Sequence, residues 1–110
     1  MIKKGEIWII SFPEKYGSEQ SGTRPSIIIS DTPTKIAIAI PLTSNTKSLI
    51  NLPFTTRIRK SPINNLEKDS VALILQIQAI DKKRLIHKIG NLEQELLNQI
   101  NLELRNLLKL

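Results

Sequence analysis

Apolar residues fall in short runs along the first ninety positions and change period near the end of the chain. Ile7 to Phe12 is rich in strand-forming residues and stops at Pro13. Pro25 opens a second run, Ile27-Ile28-Ile29, which ends at Asp31-Thr32-Pro33, and Ile36 to Ile40 alternates Ile with Ala until Pro41. Leu52 to Arg59 resumes an extended pattern that Ser61-Pro62 breaks. Val71 to Ile80 reads as one long strand, with Val71, Leu73, Leu75 and Ile77 on one face and Ala72, Ile74, Gln76 and Gln78 on the other. Leu85 to Ile89 is a last short strand closed by Gly90. Several short strands with turn signals between them predict an all-β barrel or a strongly bent sheet.

Beyond Gly90 the spacing becomes helical. Leu96, Leu97, Ile100, Leu104, Leu107 and Leu108 form one apolar stripe. Asn91 is the expected N-cap, with Gln94 three positions later completing a capping box, and Glu93 and Glu95 lie at the favourable positive end of the helix dipole. The fold class expected is therefore mainly β with a C-terminal helix. At 110 residues the chain fits one domain, taken as 1–110.

Composition narrows the partners. No apolar run approaches the ~20 residues of a bilayer span, Lys3 and Lys4 are followed by no signal-peptide core, and there is no cysteine. These features predict a cytoplasmic protein with neither disulfides nor a thiolate metal site. The net charge is +6, but residues 93–110 hold three glutamates against one arginine and one lysine, so the remaining body carries +7. Basic clusters at Arg57, Arg59, Lys60 and at Lys82, Lys83, Arg84 suit phosphate backbones or an acidic protein segment. They serve equally as a solvated surface.

The candidate chemistry is sparse. There is no glycine-rich phosphate loop, no dinucleotide fingerprint and no Cys/His cluster, so no metal site and no cofactor is expected. The single histidine, His87, makes no metal site alone and is read as a surface or half-buried structural residue. Two polar segments at strand ends stand out. Gly17-Ser18-Glu19-Gln20-Ser21-Gly22-Thr23-Arg24-Pro25 presents a guanidinium where a loop joins a strand, and Pro41-Leu42-Thr43-Ser44-Asn45 places two hydroxyls and an amide after an apolar strand. By composition alone each is also an ordinary loop.

Taken in order, GEIW, GSEQSGTRP, PLTSN, KDSVALILQIQAIDKKRL and IGNL resemble the MazF/PemK/Kid-type toxins from Gly5 to the C-terminus. The resemblance implies a small SH3-like bent antiparallel barrel of the MazF/CcdB type that forms homodimers. It implies a metal-independent endoribonuclease that cleaves single-stranded RNA at short sequences and is held in check by an antitoxin with an acidic, disordered tail. The family's catalytic arginine and threonine fall on Arg24 and Thr43; Ser18, Glu19 and Gln20 belong to the adjoining loop, and Ser44 and Gln76 face the substrate. Leu75 and Gln78 depart from the polar and basic residues common around that glutamine, which bears on the sequence cut. Two other readings stand beside this one: a toxin of the same fold that binds DNA gyrase without cleaving, and an inactive RNA- or protein-binding barrel.

Overall fold

The structure is a computed structural model that describes residues 2–13, 22–47 and 51–110. Among the described residues, seven strands and one α-helix follow in the order β1 (Glu6–Phe12), β2 (Gly22–Asp31), β3 (Ile36–Thr43), β4 (Thr55–Ile58), β5 (Ser70–Leu73), β6 (Gln78–Asp81), β7 (Leu85–Asn91) and α1 (Gln94–Leu108). The strands run β4-β5-β3-β2-β1-β7, every pairing antiparallel, and β6 also pairs with β3. The mainly β architecture with a terminal helix is the one expected. The sheet is strongly bent but its two ends, β4 and β7, do not join in a ladder.

The bend is made where sequence alternation had suggested a straight strand over Val71–Ile80. That span is instead β5, a 3-10 turn at Ile74–Gln76, and β6. Both strands lie against β3, Ala72 opposite Leu42 and Gln78 opposite Ala39. Between those two pairs five residues on one side face two on the other, and the turn absorbs the excess. Val71 to Ile74 are consecutively buried, while Leu75 is 60% exposed at the outside of the turn. Alternation could not show this, because both halves carry apolar residues at every second position.

Pro41 likewise does not end β3. The strand runs on to Thr43, with Pro41 buried opposite Ser26. At Ile40 and Pro41 the strand has left β6 and not yet reached β5. No ladder on that edge calls for the N–H that proline lacks. The extended segment expected at Leu52–Arg59 shrinks to Thr55–Ile58, preceded by Phe54 at φ +58°.

The sheet buries apolar side chains on both faces. Ile7, Ile27, Ile40, Leu42, Ile58 and Ile74 meet Leu97, Ile100 and Leu104 of α1. On the opposite face Ile10, Phe12, Ile28, Ala39 and Ile80 form a second cluster, with half-buried Trp8 and Leu85 at its margin. The three fully or nearly buried helix residues contribute on the order of 1.5–3 kcal/mol each. The helix begins later than expected. Asn91 is the last residue of β7, and Glu93 occupies the cap position without a side-chain cap bond. Its carboxylate is instead engaged by Ser61 and Asn64, so the capping box at Asn91 and Gln94 does not form. Gln94 bonds Asn98 along the helix.

Candidate active site

A cleft of about 660 Å³ opens where β2 begins and β3 ends. Thr23, Arg24 and Pro25 line it from β2, Leu42 to Asn45 from β3 and the residues after it, Asn65 to Lys68 from the segment leading into β5, and Ser70 from the start of β5. Ile9, His87 and Ile89 complete it. The apolar lining is Ile9, Pro25, Leu42, Leu66 and Ile89, and the charged lining is Arg24, Lys68 and Glu67. Such a mixture of apolar wall and few polar groups suits a ligand with flat apolar parts and charged links.

Strand register brings the two strongest sequence candidates together. Ser26 lies opposite Pro41 and Ile27 opposite Ile40. The ladder ends at the first of these pairs, and Arg24 and Thr43, each two residues beyond it on its own strand, line the same cleft. Arg24 is also paired with Ile10 on β1, and Thr43 with Val71 on β5. Both groups thus sit on paired strands, which limits how far they can drift. Pro25 and Leu42, one residue along each strand, also line the cleft.

Arg24 is half-buried, and the loss of solvent lowers its guanidinium pKa from the ordinary value. It stays a cation at working pH, because guanidinium is not deprotonated in proteins. Thr43 Oγ1 accepts the N–H of Asn45 at 3.2 Å, a short turn that fixes the hydroxyl oxygen and leaves its proton to be donated. Ser44 and Asn45 are exposed beside it. A fixed cation and an oriented hydroxyl lining one cleft can bind two oxygens of a tetrahedral phosphate.

This chain matches, over residues 3–108, the PemK-like, MazF-like toxins of type II toxin–antitoxin systems. It belongs to that family. Endoribonuclease MazF of Staphylococcus saprophyticus is 33% identical over 104 residues, covering 92% of this chain and 86% of its own. Among solved structures, MazF of Deinococcus radiodurans superposes with a TM-score of 0.82 at 23% identity, covering 99% of this chain and 97% of that one. A mycobacterial endoribonuclease in complex with its cognate antitoxin gives 0.75 at 19% identity, with coverage of 100% and 97%. At these identities the two structures speak for the PemK/MazF fold.

Of the other residues singled out in the sequence, Ser44 lines the cleft. Ser18, Glu19 and Gln20 lie outside the described residues. Gln76 does not line the cleft: it sits half-buried on the 3-10 turn, three residues beyond the end of β5. Asn45, the amide of the second polar segment, also lines the cleft, whereas sequence reasoning missed Asn65, Glu67, Lys68 and Ser70. It gave His87 a surface place, which its exposure matches, but not a place on the cleft wall. Asn65 had a local signal, since it follows Ser61-Pro62 in a polar stretch and adopts φ +56°. No sequence signal placed His87, because only the β1–β7 pairing sets it beside Ile9. Among the described residues no group of three or more His, Cys, Asp or Glu is placed to hold a metal ion, and no helix is long and apolar enough to cross a membrane.

Proposed function

We propose that residues 1–110 act as one toxin domain that cleaves single-stranded RNA, as a sequence-specific, metal-independent endoribonuclease working in the cytoplasm. The observation that carries this is that Arg24 and Thr43 line one cleft, in a family whose staphylococcal member is an endoribonuclease. RNA carries its own nucleophile. The ribose 2′-oxygen attacks phosphorus, the bond to the 5′-oxygen breaks, and a 2′,3′-cyclic phosphate is left. The 2′-hydroxyl gives up its proton and the departing 5′-oxygen takes one. Arg24 stabilises the charge that builds on the phosphoryl oxygens, and Thr43 donates a hydrogen bond to one of them. Arginine is a poor base, so the proton acceptor is a group other than Arg24.

The partners follow from charge and exposure. The body of the chain, at +7, suits both an RNA strand and an antitoxin with an acidic, disordered tail laid across the same cleft. The second apolar cluster, with Trp8 and Leu85 half-exposed at its edge, supports a homodimer that covers it. The deciding experiment incubates purified protein with mixed-sequence RNA in excess EDTA and identifies the new ends. Cleavage at recurrent short sequences with cyclic phosphate termini is expected. RNA left intact would turn the reading to a non-cleaving toxin, and activity restored only by magnesium would overturn the mechanism.

A further inference from the structure

The segment joining β4 to β5 is the wall of the cleft that the chemistry above does not use. Residues 60–69 leave and rejoin the sheet at one point, where the Lys60 N–H donates to Asp69 Oδ1 at 2.9 Å. A loop of this size, closed at its neck and filled by its own side chains, behaves as a compact unit. Its filling is Asn64, whose side chain is fully buried. Asn64 Oδ1 accepts the N–H groups of Ser61 and Leu66, each at 3.0 Å. Its Nδ2 donates to Arg59 O at 2.9 Å and to Glu93 Oε1 at 3.1 Å. Ser61 Oγ donates to Glu93 Oε2 at 3.1 Å and accepts the N–H of Ile63 and of Asn64. Two donors and two acceptors of the amide are thus all engaged, the full capacity of the group.

The unit is fastened outward as well. The Asn91 N–H donates to Ile63 O at 3.1 Å, and Asn65 Nδ2 to Ile89 O at 2.9 Å, so the loop lies along the edge of β7 that no strand pairs. Asn64 thus ties the loop to Arg59, just after β4, and to Glu93 at the cap of α1, while its neighbours Ile63 and Asn65 hold β7. Besides buried Leu66, this block presents to the cleft the polar residues Asn65, Glu67 and Lys68, all exposed. Lys68 is the one cation it adds to the lining, and a flexible ammonium binds a phosphate well only where its backbone is fixed.

We propose that Asn64 is a positioning residue: it sets the 60–69 loop so that Lys68 takes a phosphate of the bound RNA strand other than the one held by Arg24. The inference rests on the ribonuclease reading and deepens it. Its test measures kcat, KM and binding on a short single-stranded RNA carrying a cut sequence found in the EDTA experiment, with the same oligonucleotide 2′-deoxy at the cut site for binding. Lys68→Ala is expected to raise KM roughly 5–10-fold with kcat within about twofold, and to lower the slope of log K against log salt by about 0.7, one phosphate contact on a single strand. Asn64→Ala should do the same, and the double variant should be no worse than either single one. Leu104→Ala, which loosens the helix core, should leave KM and the salt slope unchanged well below its melting temperature. If Asn64→Ala does not fold, Ser61→Ala enters the same cycle in its place. Additive effects of the two positions, or an Asn64 effect confined to kcat and matched by Leu104→Ala, would overturn the inference while leaving the ribonuclease reading intact. A wild-type protein that neither binds nor cuts RNA would overturn both.

Discussion

Gly90 offers a stability test whose size can be worked from the structure. It lies in β7 without a positive φ, so backbone conformation does not require glycine there. Space does. A Cβ added at Gly90 would meet Asn64 O at 2.4 Å, Asn64 C at 2.6 Å and Ile63 O at 2.7 Å, all of them backbone atoms. Ordinary contact begins near 3.4 Å. Gly90→Ala must therefore push the 60–69 loop about 1 Å off β7, straining the bond from Asn91 N–H to Ile63 O. Overpacking of this kind costs roughly 1–3 kcal/mol, offset by about 0.4–1 kcal/mol because alanine restricts the unfolded chain. A net loss of about 1–2 kcal/mol lowers the melting temperature of a chain this size by roughly 5–10 °C. Thermal unfolding followed by circular dichroism checks it, with Gly22→Ala as the contrast. Gly22 has φ +81° and nothing within 4 Å of an added Cβ. Its cost, on the order of 1–2 kcal/mol, would come from the left-handed backbone alone. The 60–69 loop should shift in Gly90→Ala and stay in place in Gly22→Ala, as amide exchange at Asn65 and Leu66 would report. An unchanged or raised melting temperature for Gly90→Ala would refute the claim that the loop backbone is locked against β7.

Other outcomes follow from the same geometry. Arg24→Ala is expected to lower cleavage about 10²–10³-fold with stability within ~0.5 kcal/mol, and Arg24→Lys should recover little because a point charge lacks the two-pronged contact; full activity in either, read as the rate of oligonucleotide cleavage, would reject Arg24 as the phosphate ligand. Thr43→Val keeps the shape but removes the hydroxyl and its turn bond to Asn45, so a lower kcat with a stability change near 1 kcal/mol is expected from paired activity and melting measurements. Glu6, buried between strands, is pushed up by desolvation, but bonds from Trp8 Nε1, Lys88 Nζ and the Lys3 N–H outweigh this and hold its carboxyl below the usual 4.5. A lowered folded-state pKa gives stability that is present above the unfolded value and lost as pH falls through the folded one. Glu6→Gln should thus be less stable than wild type at pH 7, with the gap narrowing in urea titrations below about pH 4; a gap as wide at pH 3 would reject the carboxylate's role.

Local chemistry wrote most of the strand inventory into the chain. Pro13, Asp31 to Pro33 and Ser61-Pro62 interrupt apolar runs for reasons internal to those residues, and the change to helical spacing after Gly90 needs no partner to be seen. The motif blocks also carried the family and, through it, Arg24 and Thr43, since identity of residues in order survives without coordinates. Tertiary structure decided what depends on a neighbour. A proline ends a strand only where a ladder needs its N–H, so the fate of Pro41 rested on β3 changing partners from β6 to β5. The break at Ile74–Gln76 arose from fitting two strands against one, which alternation within a single segment cannot report. Asn91 lost the cap to Glu93 because β7 pairs through to the end, and Glu93 was already taken by Ser61 and Asn64. Asn64, Lys68 and His87 reach the cleft region only through contacts between residues some thirty or more positions apart, such as Asn64 with Glu93 and His87 with Ile9. A single chain's pattern records what each residue prefers, whereas a site is set by which preferences the packing places side by side.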